Sequence, residues 1–188
     1  MELQDLKMAG SGSIAGGNYN IVSIAGSAST NGNINCKQLK VSGSASFNGD
    51  VIVDEASIAG AIKILNNLKG NKIKASGTIK ALANIECEEL NISGSISVIG
   101  ECNIENLCCS GEGKFNNIYG ETIELKSKKR NIKVNEIEAT NINLKSVQAK
   151  RISGDNVRVE GKSMIDVIEY RRTLQISKQV TVLEIVKL

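Results

Sequence analysis

Histidine, proline and tryptophan are absent from this 188-residue chain, and aromatic residues make up only 3% of it. Without histidine there is no imidazole general base and no use of the commonest metal-binding side chain. Disordered linkers tend to be rich in both glycine and proline. Here eighteen glycines stand beside no proline, the combination suited to stacked strands with tight corners. With so few aromatics, a core has to be built from Ile, Val, Leu and Ala. No apolar run approaches the roughly 20 residues of a membrane-spanning helix. The opening stretch, MELQDLKMAGSGS, is acidic early and has no apolar central region, so a secretory leader is not expected. The composition reads as that of a soluble, intracellular protein.

Five cysteines (Cys36, Cys87, Cys102, Cys108 and Cys109) form no CxxC pair. Scattered thiols without histidine make a poor zinc set, and an odd count makes a poor disulfide framework. They are expected to be small apolar core residues. No metal or cofactor is expected.

What the chain does have is a repeat. Gly26, Gly43, Gly60, Gly77, Gly94 and Gly111 fall at every seventeenth position without a slip. Apolar columns share that beat: Ile34, Val51, Leu68, Ile85 and Cys102 form one, and Phe47, Ile64, Ala81, Val98 and Phe115 another. Each repeat contains three apolar pairs spaced i and i+2, as at Val51 and Val53, Ala56 and Ile58, and Ile62 and Ile64, and the residues between the paired members are mostly polar, as at Ser57 and Lys63. Apolar residues at i and i+2 mark a strand with one buried face. The segment ALANIECEEL alone could pass for a helix, but a helix cannot reproduce three such pairs per repeat. Three short strands in each repeat, with no room for a helical crossover, predict a three-faced parallel β-solenoid. The recurring glycine is expected at a corner needing positive φ or close backbone approach. A second corner, at Gly32, Gly49, Asn66 and Gly100, is expected to be left-handed.

Beyond Phe115 the beat shortens. Ile132, Ile137, Ile142, Val147, Ile152 and Val157 fall at every fifth position, giving a 15-residue coil with three faces; a square 20-residue coil is the less continuous option. The chain therefore divides into 1–117, a half with 17-residue coils; 118–131, a register break or loop; and 132–188, a half with shorter coils and a terminal strand. All belong to one continuous solenoid of about ten coils. The register after Met164 is not fixed by the pattern.

Neither end shows a capping helix. The closing segment QVTVLEIVKL alternates and is β-branched, so a last strand would leave apolar side chains facing along the rod axis. Two such ends would bury each other, and repeated stacking makes a filament. Val180, Val182, Leu183, Ile185, Val186 and Leu188 are the expected subunit-interface residues.

The stretch VSGSASFNGDVIVDEASIAGAIKI, with its [VI]-x-G-x-[AI]-x-[FIV]-x-[GN] pattern, and the ending IDVIEYRRTLQISKQVTVLEIVKL resemble the bactofilins, bacterial polymer-forming cytoskeletal proteins, in their longer two-part form. The resemblance spans residues 8 to 188. It implies a right-handed parallel β-helix that polymerises end to end without nucleotide into filaments lacking polarity, scaffolding envelope-related machinery. It implies no catalytic residues. The proline-rich tails of many members are missing, which points away from direct membrane attachment and toward a related co-polymer or a membrane or envelope protein as an additional partner. The expected location is cytoplasmic, with any membrane association made through partners.

Charge is uneven: 1–117 hold 9 Lys/Arg against 11 Asp/Glu, whereas 118–188 hold 14 against 9. Lys126, Lys128, Lys129 and Arg130 cluster in the register break, and read as a solvated loop or as a contact for anionic lipid or cell-wall material. With no aromatic interleaving, nucleic acid is not an expected partner. Lys63 and Lys80, one coil apart, are expected to keep filaments soluble. Asp54, Glu55, Glu88, Glu89 and Glu105 line a corner and read as solvated. A hexapeptide-repeat acyltransferase would need an 18-residue coil and a histidine, so the expectation is a non-enzymatic, self-assembling scaffold. A monomeric β-solenoid adaptor that binds another protein is the alternative.

Overall fold

A computed structural model describes residues 3–128 and 131–188. Among these, sixteen strands and no helix are present. β1 (Gln4–Met8), β2 (Ser11–Ile24) and β3 (Ser27–Val41) open the stack. Then long and short strands alternate: β4 (Ser44–Phe47), β5 (Val51–Ile58), β6 (Ala61–Ile64), β7 (Leu68–Ala75), β8 (Thr78–Ala81), β9 (Ile85–Ile92), β10 (Ser95–Val98) and β11 (Glu101–Cys109). Four long strands, β12 (Glu112–Lys126), β13 (Ile132–Lys145), β14 (Val147–Glu160) and β15 (Met164–Ile176), lead to β16 (Thr181–Lys187). Every pairing is parallel and joins a coil to its neighbour in sequence, giving a β-solenoid of about 11 turns.

The 17-residue register is explicit: Val51 pairs with Leu68, Leu68 with Ile85 and Ile85 with Cys102. The three expected strands per coil appear as two. The first two faces form one eight-residue strand whose alternating burial breaks at an outward pair, Asp54–Glu55 in β5, and the third face is a four-residue strand. Pairing passes over Asp54 and resumes at Glu55, so the corner bends the strand without ending it. The core is a set of stacked columns. One runs Ile14, Thr30, Phe47, Ile64, Ala81, Val98 and is taken up by Phe115, Val134, Ala149 and Ile165. Its polar member, Thr30, is fully buried and accepts a hydrogen bond from the Asn48 N–H at 3.2 Å.

Two expectations need correction. Residues 118–126 are not a loop but strand, inside β12, because Ile118, Ile123 and Leu125 continue the core columns. The step shortens from 17 residues to 16 between Lys114 and Asn117, and the larger register change lies between β12 and β13. Across it the step between coils widens, with Gly113 paired to Ile132 and Phe115 to Val134, before the next coil pairs Ile132 with Val147. That shorter step is the three-faced coil rather than the square one. The left-handed corner is the second correction. Positive φ occurs at Gly32 (110°), Gly161 (63°) and Ser146 (56°) among the described residues, and not at Gly49, Asn66 or Gly100. At that corner the chain is held instead by side chains one residue further on. Asn33 Oδ1 accepts from the Asp50 N–H (3.0 Å), Asp50 Oδ1 from Asn67 N–H (3.0 Å), Asn67 Oδ1 from Asn84 N–H (3.3 Å) and Asn84 Oδ1 from Glu101 N–H (2.9 Å). The recurring glycines need close approach, not positive φ: a Cβ on Gly60 would stand 1.9 Å from the Gly43 carbonyl oxygen.

After Met164 the register becomes legible. Ile165 pairs with Val182 and Ile168 with Ile185, the same step as in the first half, while an extra residue enters β15 near Arg171.

Candidate assembly interface

At the carboxyl-terminal end the core columns stop. Val157 is followed by Leu174, Val159 by Ile176, Ile165 by Val182 and Ile168 by Ile185. The first member of each pair is buried, and the last is not. Ile185 is 50% exposed and Ile176 38% exposed, whereas Leu174 and Val182 are half-buried. This gradient is what a stack of identical layers produces at its final layer, since only one side of it is covered. Within residues 3–188, nothing among the described residues lies over this face, and β16 pairs on one side only, with β15. Its outer edge presents unpaired backbone donors and acceptors, the feature of a strand that accepts another.

Of the residues expected at an interface, Val182 and Ile185 lie on this end face. Val180 packs against the core beside them. Leu183 is 78% exposed, and its alternation with Val182 turns it outward from the rod. Val186 lies level with Glu169 on the outward side, half-buried, and Leu188 is exposed, with its N–H donating to the Tyr170 carbonyl at 2.9 Å. The structure thus brings together Val180, Val182 and Ile185 and sets Leu183, Val186 and Leu188 apart. Leu174 and Ile176 complete the face. Sequence reading missed them, although TLQIS has the required spacing, because its register depended on the inserted residue before it.

The amino-terminal end is better covered. The Met8 side chain folds toward Gly12, and the Tyr19 ring lies over Gly17, its hydroxyl donating to the Ala15 carbonyl at 2.9 Å. Leu6 and Met8 are partly buried against the core.

The flanking charge is organised between coils. Arg151 bridges Glu136 on the preceding coil and Glu169 on the following one, with Nη2 2.8 Å from Glu169 Oε2. That hydrogen-bonded guanidinium holds the Glu169 carboxyl below its ordinary range. Asp155 takes both Arg171 and Arg172 at 3.4 Å. In the basic cluster, Lys126 is paired with Glu124, whose carboxylate raises its pKa, and Lys128 is exposed. Lys129 and Arg130 lie outside the described residues. In the acidic corner, Lys72 reaches Glu89 at 3.9 Å, and Lys69 pairs with Glu86 at 2.7 Å.

Cys36, Cys87, Cys102 and Cys109 are buried, as expected of small apolar residues, and Cys108 is half-buried on the outer side beside Glu124. Burial pushes the Cys36 and Cys109 thiols up to about 11 and those of Cys87 and Cys102 to about 12. Such thiols stay protonated and unreactive at neutral pH.

No family model, curated protein or solved structure matches the chain.

Proposed function

We propose that this protein is a structural, self-assembling scaffold of cytoskeletal type, polymerising end to end by stacking the ends of its β-solenoid without nucleotide or cofactor. The observation that carries this is the carboxyl-terminal face, where four core columns end in Leu174, Ile176, Val182 and Ile185 beside an unpaired strand edge. Each of these residues would be buried by one more coil, and a second copy supplies coils of the same width and spacing. Burying them would contribute about 25 cal/mol per Å² of apolar surface, with new strand hydrogen bonds setting the geometry. The resemblance to bactofilins supports the same reading. It assigns the molecule no catalytic step, and its work would be to hold partners along a filament.

The test is negative-stain microscopy and sedimentation of the full chain with Ile185→Lys and Val182→Glu. Filaments from the unaltered protein, and single rods with an unchanged circular-dichroism spectrum from Ile185→Lys, are the expected result. Deleting 180–188 is the weaker test, because it uncovers Ile165 and Ile168 as a new apolar layer. Discrete single particles from the unaltered protein at every concentration would sink the scaffold reading and favour a monomeric adaptor.

A further inference from the structure

The third face of the solenoid carries a surface unrelated to its ends. Strand pairing stacks Ser46, Lys63, Lys80, Ser97, Lys114 and Lys133 into one outward column. The column beside it is short: Ser44, Ala61, Thr78 and Ser95, then Glu112. The lysine stems therefore stand proud of the sheet as a ridge. Glu112, the carboxylate in that neighbouring column, accepts a hydrogen bond from Asn131 Nδ2 at 2.7 Å. All four lysines are exposed, and among the described residues none makes an ion pair.

A three-sided coil places the corner between its first two faces opposite the third. That corner carries Asp54, Asn71, Glu88, Glu105 and Glu121 in axial succession, bracketed by paired neighbours. Asp54, Glu88, Glu105 and Glu121 are exposed and, among the described residues, unpaired. Gly70 and Gly120 lack side chains on this edge, and a shallow groove runs between them, walled by Glu88, Glu105 and Glu121. The two charge rows share one axial scale because both are set by the strand spacing of about 4.8 Å. Asp54 and Lys63 belong to one coil, Glu105 and Lys114 to another, and Glu121 and Lys133 to the next. Lys80 sits one strand step from the level of Glu88.

We infer that the lysine ridge docks on the acidic edge of a second copy of this chain, so that rods associate side by side, parallel and level. A single exposed pair contributes only about 0–1 kcal/mol, but three level pairs, with Lys80 and Glu88 one step apart as a fourth, act together along a rigid rod. The contact joins unlike surfaces and does not close on itself, so it extends into sheets or bundles. Lys63 and Lys80, read from sequence as a solubilising column, thereby acquire a counterpart. The inference does not need end-to-end stacking, since single rods would also associate laterally.

The experiment compares the full chain with three variants by light scattering and negative-stain microscopy. They are a lysine-to-serine set (Lys63, Lys80, Lys114, Lys133), a lysine-to-glutamate set at the same positions, and an acid-to-lysine set (Glu88, Glu105, Glu121). The unaltered protein should bundle at about 0.01 M salt and disperse by about 0.5 M, as the screening length falls from roughly 30 Å to a few Å. Each variant alone should stay dispersed at low salt, and mixing the lysine-to-glutamate set with the acid-to-lysine set should restore bundles. Ile185→Lys should still bundle, as short rods, which separates this contact from the end face. Low-salt dispersion of the unaltered protein, wild-type bundling by the serine set, or a mixture that stays dispersed would each overturn the inference. So would lysine-dependent binding to phosphatidylglycerol vesicles without bundling, which would assign the ridge to an anionic surface instead. Circular dichroism confirms folding, and should a charge-reversed set unfold, the serine set decides.

Discussion

A hydrogen atom in place of a side chain at Gly60 lets two coils close to strand-pairing distance at their sharpest corner. Gly43, Gly77, Gly94 and Gly111 repeat the arrangement, each with a carbonyl oxygen of the preceding coil within about 2 Å of where a Cβ would be. Gly60→Ala should therefore lower stability by about 3 kcal/mol or more, since the obstacle is backbone and cannot rotate away. Gly10→Ala, where nothing lies within 4 Å, should leave the thermal midpoint almost unmoved. The cysteines give a second residue-scale prediction. Their folded pKa values are raised above the ordinary 9.0, so the stabilisation is fully present below pH 9 and is lost as pH rises toward 12. At pH 10 each of Cys87 and Cys102 should have given up stability on the order of 1 kcal/mol, seen as a falling denaturation midpoint between pH 8 and 10. A thiol reagent at neutral pH should label Cys108 first and reach the other four after unfolding.

At the scale of the element, strands are joined by two kinds of side-chain tie. The Asn33, Asp50, Asn67 and Asn84 series satisfies a backbone N–H at each turn of one corner. Removing Asn67 or Asn84 with alanine leaves that N–H without its partner and should cost about 1 kcal/mol each, measured by chemical denaturation. These residues keep the same 17-residue beat as the glycines, but as polar side chains they stand outside the apolar columns that define the repeat in the sequence. The second tie is Arg151 between Glu136 and Glu169. Arg151 is half-exposed and both glutamates are partly exposed, so Arg151→Ala should cost only about 1 kcal/mol or less. The Glu169 pKa is lowered, so its share of that stability is present above the ordinary glutamate range and lost as pH falls through the folded value. The difference between the unaltered protein and Arg151→Ala should therefore shrink as pH falls below the ordinary glutamate range.

For the whole molecule, a stack in which each coil touches only its neighbours should not open uniformly. Amide exchange is expected to be fastest in β1 and β16, which are paired on one side, and slowest in the middle, from β5 to β14. Polymerisation through the carboxyl-terminal face should slow exchange in β15 and β16 selectively, a signature that lateral bundling through the third face would not give. About 11 turns at the strand spacing make a rod on the order of 50 Å long.

Period and burial were written in the sequence, because each coil repeats the same inward positions. The longer beat of the first half, the shorter beat of the second and the inward place of residues such as Val51, Ile73 and Ile137 follow from alternation alone, which is local. What only the folded stack decided is where neighbouring coils meet. Whether Gly60 is needed for its φ or for contact depends on the Gly43 carbonyl, a full coil away along the chain. The end-face roles of Leu174 and Ile176 depend on one inserted residue before them. The opposition of the lysine ridge to the acidic edge depends on how three faces close. Those are distances between residues remote in the chain, and a one-dimensional pattern carries no measure of them.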